Sequence, residues 1–223
     1  SQIYNRLHVY YRHQVATPLE NKDIMDYLNK SSYIANNIQD AVMQYVNYSD
    51  RGYLYYDLPL SDNNHNKTIL YWEKACNIYE KGNAEAKYIN YLRKKTQLSL
   101  LEGDSEKAVH AAERGLEEID ISPYAYQQTF FKWWFYHALA EAYLLCYKNE
   151  NAEAIEKSLE RANFYSDLLT SNKRFYYLQL KSVYMYYLKR YDNAIELNNE
   201  AIKLVESSNY KLKKASIKKQ LSE

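Results

Sequence analysis

The segment from 130 to 147 is apolar except for three ionisable residues, Lys132, His137 and Glu141. In a helix, steps of three and four residues return to one face, so Trp134, His137 and Glu141 share a side. An aromatic shelf beside a His–Glu pair could hold a peptide or a polar small molecule. The alternative is that the His–Glu contact only satisfies polar groups in a partly buried helix, as pairs at this spacing commonly do.

Other side chains that could do chemistry lack suitable companions. His8 and His13 lie five residues apart, so they do not share a helix face well enough for a zinc pair. Cys76 and Cys146 are 70 residues apart with no CxxC spacing, which favours small core hydrophobes. No phosphate-binding glycine loop, Ser-His-Asp set or paired carboxylate is recognisable. We therefore predict no catalytic residue, no metal and no cofactor, and a chain that is not an enzyme.

The composition favours an all-helical chain with no general affinity for polyanions. Only 4 Gly and 3 Pro occur in 223 residues, too few for the turns of a β-sandwich or barrel. The 29 Lys and Arg nearly balance 28 Asp and Glu. That balance argues against nucleic-acid or anionic-membrane binding, which requires a basic excess. The 27 tyrosines are explained if their rings pack between helices while their hydroxyls stay in contact with solvent. The alternative is that some of them line a binding surface.

The apolar segment 130–147 is a poor membrane span, because three internal ionisable groups would be costly in a bilayer. We predict no membrane insertion. An apolar helix of this kind in a soluble protein is either buried by neighbours on both sides or exposes a binding patch.

A small residue recurs along the chain, usually three residues after a large or apolar one and with two polar residues between. The positions are Ser31, Ala75, Gly115, Ala162 and Ala201, with spacings of 44, 40, 47 and 39. Stacked helical hairpins require small residues where one helix crosses its neighbour closely. The period therefore predicts a helical repeat.

The coarse pattern predicts helices separated by short polar turns. Gly103 can end one helix in a left-handed conformation and Asp104 can cap the next, and Asp192 is expected to cap in the same way. The longest break is a loop over 57–66. The predicted helices span 3–16, 20–35, 38–56, 66–81, 84–102, 105–120, 124–148, 152–169, 173–190, 192–207 and 210–221.

The motifs Trp72-Glu-Lys-Ala75-Cys-Asn-Ile78-Tyr79 and Gly103-Asp-Ser-Glu-Lys-Ala108 resemble the second-helix and turn motifs of the tetratricopeptide family. Repeats of 39–47 residues exceed the 34 of that family, which implies longer helices. The resemblance implies an all-α, right-handed superhelical solenoid of about five antiparallel helix pairs in a single domain, 1–223. The pairs are 3–35, 38–81, 84–120, 124–169 and 173–207, followed by a closing helix, 210–221.

The resemblance also implies a binding groove, because first helices of such arrays line the concave face. Aligning Ala140 and Tyr143 with the family's packing positions turns Tyr136 and Leu139 inward. An arginine in the groove would suit a carboxylate ligand, although the run 93–95 is more typical of a solvated face. The expected groove residues are Trp134, His137 and Glu141, with Arg93 and Gln97 on one neighbouring first helix and Tyr176 and Gln179 on the other.

The predicted function is a non-catalytic protein- or peptide-binding module, with a small polar ligand as a variant. The Tyr-, Asn- and Lys-rich composition looks most similar to sensor regions of Bacteroidetes histidine kinases. That would make the chain, which begins at Ser1, a piece of a bacterial signal-transduction protein, periplasmic if a sensor and otherwise cytoplasmic. The alternatives are a regulator similar to response-regulator phosphatases or peptide receptors, and a self-associating scaffold such as a homodimer.

Overall fold

The computed structural model describes residues 18–56, 61–83, 88–120, 125–146, 149–169 and 171–207. Every regular element within these ranges is helical, and no strand occurs in them. A π-helical turn, Tyr79–Asn83, follows the third helix, and a 3-10 turn, Asn149–Asn151, precedes the seventh. The helices are α1 (Pro18–Asn37), α2 (Ala41–Tyr56), α3 (Asp62–Ile78), α4 (Tyr88–Glu102), α5 (Ser105–Ile119), α6 (Ala125–Leu145), α7 (Ala152–Asp167), α8 (Ser171–Tyr187) and α9 (Tyr191–Ser207).

The predicted all-helical class is confirmed, and one boundary differs from prediction by several residues. α3 begins at Asp62, inside the loop expected over 57–66. Its start is capped by Ser61, whose side-chain oxygen accepts from the Asn64 amide at 3.2 Å. A capping serine satisfies an amide that would otherwise lack a partner in the first turn, so the helix starts earlier. The helices predicted over 3–16 and 210–221 lie outside the described residues.

The turn between α4 and α5 forms as expected. Gly103 has a φ of 74°, and the Asp104 carboxylate accepts from the Lys107 amide at 3.1 Å. The cap predicted at Asp192 is wrong, because α9 already begins at Tyr191. Asp192 lies in the first turn instead, where a carboxylate still favours the positive end of the helix dipole.

The chain divides into two compact units, one up to Leu101 and one from Glu102 onward. In the first unit α1 packs on α2, and α2 packs on α3. In the second, α5 to α9 each pack on the next helix along the chain, and α6 also touches α8. Helices thus pack in neighbouring pairs within each unit. The single domain expected from the sequence stays a prediction.

The small residues of the repeat are buried, as the close-crossing argument requires. Ser31, Ala75, Gly115, Ala162 and Ala201 all lie in the interior. Gly115 shows the reason most directly, since a Cβ built on it would lie 2.3 Å from Cζ of Phe135. α5 and α6 can approach this closely only where α5 carries no side chain. The sequence pattern missed a second such contact, in which a Cβ on Gly52 would meet the Trp72 indole at 2.1 Å.

The apolar helix α6 is buried by neighbours on more than one side, since it packs on α5, α7 and α8. Leu139 points inward as expected, and the ring of Tyr136 stacks on Tyr165 at 6.0 Å. At the start of the apolar stretch, Lys132 reaches Asp120 at 2.6 Å. No helix among the described residues has the length and apolar character needed to cross a membrane.

Candidate functional site

The face of α6 that carries His137 is held against α8. The His137 Nε2 atom lies 3.3 Å from the main-chain oxygen of Tyr176. The imidazole ring lies 5.7 Å from the Trp133 ring and 6.2 Å from the Tyr176 ring. The structure therefore brings together His137 and Tyr176, two of the predicted site residues. The ring of Trp133, a residue absent from the predicted site, packs near both, with its centroid 6.1 Å from that of Tyr176.

His137 and Glu141 form no ion pair with each other, contrary to the contact expected from their spacing. Burial lowers the pKa of His137 to about 4, with Lys173 nearby adding to the effect and the bond to Tyr176 opposing it. Burial alone raises the pKa of the Glu141 carboxyl to about 7. Near neutral pH the ring is thus uncharged, which removes the Coulombic attraction that would pair it with Glu141.

An ammonium group sits among aromatic rings where α6 meets α8. The Lys173 Nζ atom lies 4.4 Å from the Trp133 ring centroid, 5.1 Å from that of Phe130 and 5.9 Å from that of Tyr176. Such distances allow the negative faces of the rings to stabilise the cation. Sequence reasoning missed this arrangement, although Lys173 and Tyr176 lie one helical turn apart and therefore share a face.

Two further predicted residues on these helices are partly buried. The Trp134 ring meets the Phe135 ring edge-on at 5.1 Å. Gln179 lies one turn after Tyr176 on α8. Trp134 thus packs beside its chain neighbour, while His137, three residues further on, packs against α8.

Arg93 and Gln97 belong to the first unit, where both contact Tyr53. The Arg93 guanidinium lies 5.7 Å from the ring of Tyr53. The Gln97 side-chain oxygen accepts from the Tyr53 hydroxyl at 3.0 Å and from the Lys94 ammonium at 2.9 Å. The Gln97 amide oxygen thus has two hydrogen-bond donors, Tyr53 and Lys94, from its own unit.

The solvated face expected over 93–95 is wrong for Lys94, which is only 1% exposed. Its ammonium lies 3.3 Å from the Tyr53 ring centroid and 4.7 Å from that of Trp72. Lys95 does reach the surface, where it pairs with Glu80 at 2.7 Å. The aromatic rings therefore stabilise a buried cation, although a run of three charged residues is typical of a solvated face.

Many of the tyrosines pack against one another, which supports the structural explanation of their number. Tyr55 stacks on Tyr71 at 5.7 Å and Tyr79 stacks on Tyr91 at 4.1 Å. The Tyr91 hydroxyl donates to Glu80 at 2.8 Å, so the polar tip is satisfied at the surface.

The two cysteines differ in burial. Cys76 is 3% exposed, and burial raises the pKa of its thiol to about 12. Cys146 is partly buried at the end of α6, with its sulfur 3.7 Å from the Ala142 carbonyl oxygen. Within the described ranges no three His, Cys, Asp or Glu side chains are grouped to hold a metal ion.

Comparison with known proteins adds no family to this description. No protein-family model matches the chain. A search of curated proteins finds no significant match either.

Proposed function

We propose that this chain is a non-catalytic interaction module that binds a peptide or protein segment on the α6–α8 face of its second unit. The α6–α8 face means Trp134, His137 and Glu141 of α6 with Tyr176 and Gln179 of α8. One observation carries the proposal. These side chains are only partly buried, and the Glu141 carboxylate has neither a hydrogen bond nor an ion pair among the described residues. Partial burial raises the pKa of this carboxyl, so its charged form is disfavoured until a ligand supplies a partner.

The contacts along the helices support a tetratricopeptide-like arrangement within the second unit. From α5 to α6, Gly115 lies opposite Phe135 and Asp120 opposite Lys132, so later residues of α5 meet earlier residues of α6. The contacts of α8 with α9 follow the same rule, since Ser182 meets Ala194 and Arg174 meets Glu200. Antiparallel hairpins would produce contacts of this order, which supports the proposed arrangement.

The contacts between α6 and α8 advance in the same direction along both helices. Phe130 lies near Lys173, and Trp133 lies near Tyr176. Parallel first helices of successive hairpins produce this pattern in stacked repeats. A face shared by two such helices is a surface that repeat proteins use for partners. The narrower assignment to a bacterial sensor region rests on the composition and the family resemblance alone.

A second candidate function, self-association, is favoured by an exposed apolar surface at the junction of α8 and α9. Tyr186 is 62% exposed, and its ring lies 5.5 Å from that of Tyr191, which is also exposed. Ile195 and Val183 add to this surface. Light scattering over a range of protein concentrations distinguishes the two functions, because a scaffold becomes a dimer or larger assembly as concentration rises.

The binding function is tested by panning a random-peptide phage library on the immobilised chain. Enriched peptides should lose about tenfold or more in affinity for Trp134→Ala, His137→Ala and Glu141→Ala, since anchor residues commonly cost more than 1 kcal/mol when truncated. Glu160→Ala is the matched control, because Glu160 is exposed on α7. Circular dichroism confirms that each variant remains helical. Undiminished binding by all three folded variants would refute the site.

A further inference from the structure

The α6–α8 face presents two hydrogen-bond acceptors that lack a donor. The Tyr176 carbonyl oxygen can only accept, so the His137 Nε2 atom facing it carries the proton of the neutral ring. The Nδ1 atom of the same ring is then an acceptor. The Glu141 carboxylate lies one helical turn further along, and side chains at this spacing have Cβ atoms about 5–6 Å apart. No described residue donates to the Nδ1 atom or to this carboxylate.

We infer that these two acceptors, the Nδ1 atom of His137 and the carboxylate of Glu141, bind a primary ammonium group of a peptide ligand. The ammonium belongs to a lysine side chain or to a free amino terminus, which share the same chemistry. The inference rests on the proposed function, since it specifies what the α6–α8 face recognises. An ammonium has three donors and no acceptor, so one group can serve both atoms at once. A charge-assisted hydrogen bond from the ligand ammonium would give the carboxylate the partner that it lacks among the described residues.

The charges differ along this face. The Lys173 ammonium lies near the rings of Phe130, Trp133 and Tyr176, and its charge adds to the lowering of the His137 pKa. Glu141 lies two helical turns beyond Trp133 on α6, and no nearby cation contributes to the pKa of its carboxyl. A ligand ammonium is therefore attracted at the Glu141 end of the face, where an anionic ligand would be repelled.

The sequence predicted the opposite ligand chemistry, in which an arginine of the groove binds a carboxylate. The Arg93 guanidinium instead lies over the Tyr53 ring in the first unit. The Gln97 amide oxygen beside it accepts two donors from its own unit. Glu141 is thus the charged group of the predicted set that needs a ligand.

The test is an NMR titration of the nitrogen-labelled chain with short blocked glycine/serine peptides at millimolar concentration. One peptide carries a central lysine, the second an acetyl-lysine and the third a glutamate. A fourth has no lysine but a free amino terminus, which separates the two sources of the ammonium. The titrations are repeated on Glu141→Gln, on Glu141→Asp and on the control Glu160→Gln. Glu141→Gln should fold well, because it removes a desolvated charge.

Saturable shifts of α6 amides are expected with the lysine peptide or the free amino terminus and not with acetyl-lysine or glutamate. Glu141→Gln should weaken the response by about tenfold or more, as expected for loss of a charge-assisted bond. Glu141→Asp should restore part of it, and Glu160→Gln should leave it unchanged. Equal affinity for lysine and acetyl-lysine, or no response to either ammonium, overturns the inference.

The two proposals fail in different ways. Panned peptides that bind the α6–α8 face without a basic group, and that tolerate Glu141→Gln, leave the interaction module standing and remove the ammonium site. A library that yields no peptide dependent on Trp134, His137 or Glu141 removes the proposed function itself.

Discussion

Gly115→Ala tests whether the close contact between α5 and α6 governs stability. The added Cβ would lie 2.3, 2.4 and 2.6 Å from three atoms of the Phe135 ring. Carbon atoms pack favourably at about 3.5–4.0 Å, so the ring or the helix must shift by roughly 1 Å or more. Phe135 is 0% exposed, and a tightly packed interior leaves the ring little room to move.

The expected net effect is a loss of about 1–2 kcal/mol in the free energy of unfolding. Overpacking a core costs roughly 1–3 kcal/mol, and the shift required here is in the upper part of that range. Replacing a helical glycine with alanine recovers about 0.5–1 kcal/mol through helix propensity. Because the cost of overpacking exceeds the gain in helix propensity, Gly115→Ala is expected to be destabilising.

Urea unfolding followed by far-UV circular dichroism measures the loss. Phe135→Leu provides the coupled variant, because a smaller and more flexible side chain leaves room for the new methyl group. In the double variant, Gly115→Ala should cost less than it does alone, which a double-mutant cycle reports as a coupling energy. A Gly115→Ala protein as stable as the parent, or more stable by the propensity gain, would contradict the close approach.

Three further predictions concern titratable and reactive side chains. Glu141→Gln should raise stability at pH 8 by on the order of 2 kcal/mol. The folded carboxyl has a pKa of about 7 against 4.5, so the parent loses stability as pH rises from about 4.5 to 7 and the variant does not. His137→Gln should remove a pH dependence of the opposite sign, in which the parent loses stability as pH falls. With a folded pKa of about 4 against 6.5, the ring costs the parent stability as pH falls from about 6.5 to 4, which urea melts across that window will report. A thiol reagent should modify Cys146 in the native protein before the buried Cys76, and mass spectrometry of digested protein checks the order; faster labelling of Cys76 would contradict its burial.

Much of the helical framework follows from local information. The scarcity of Gly and Pro and the recurring small residues placed most helices close to their observed positions. A capping or turn residue acts over a few neighbours, so Gly103 and Asp104 could be assigned without knowing the fold. Asp192 was misplaced because two adjacent residues can start a helix, and local propensity alone does not choose between them.

The candidate site was harder to predict because it depends on contacts between helices distant in sequence. Spacing alone placed His137 beside Glu141, but its partner is the Tyr176 carbonyl, 39 residues away. Lys94 belongs to a charged run, yet the rings of Tyr53 and Trp72 enclose its ammonium. A sequence pattern reports which residue types share a helix face, whereas burial changes which charge states and partners are favourable.

By itself the sequence indicated that the described part of the chain is helical and that five recurring positions are small and buried. These properties follow from backbone sterics and helical periodicity, which act locally. Only the tertiary structure decided that α6 packs on three helices, that Lys173 lies among its aromatic rings, and that Glu141 is left without a donor. Those outcomes depend on how distant segments exclude water from particular atoms, and desolvation is a property of the packed unit.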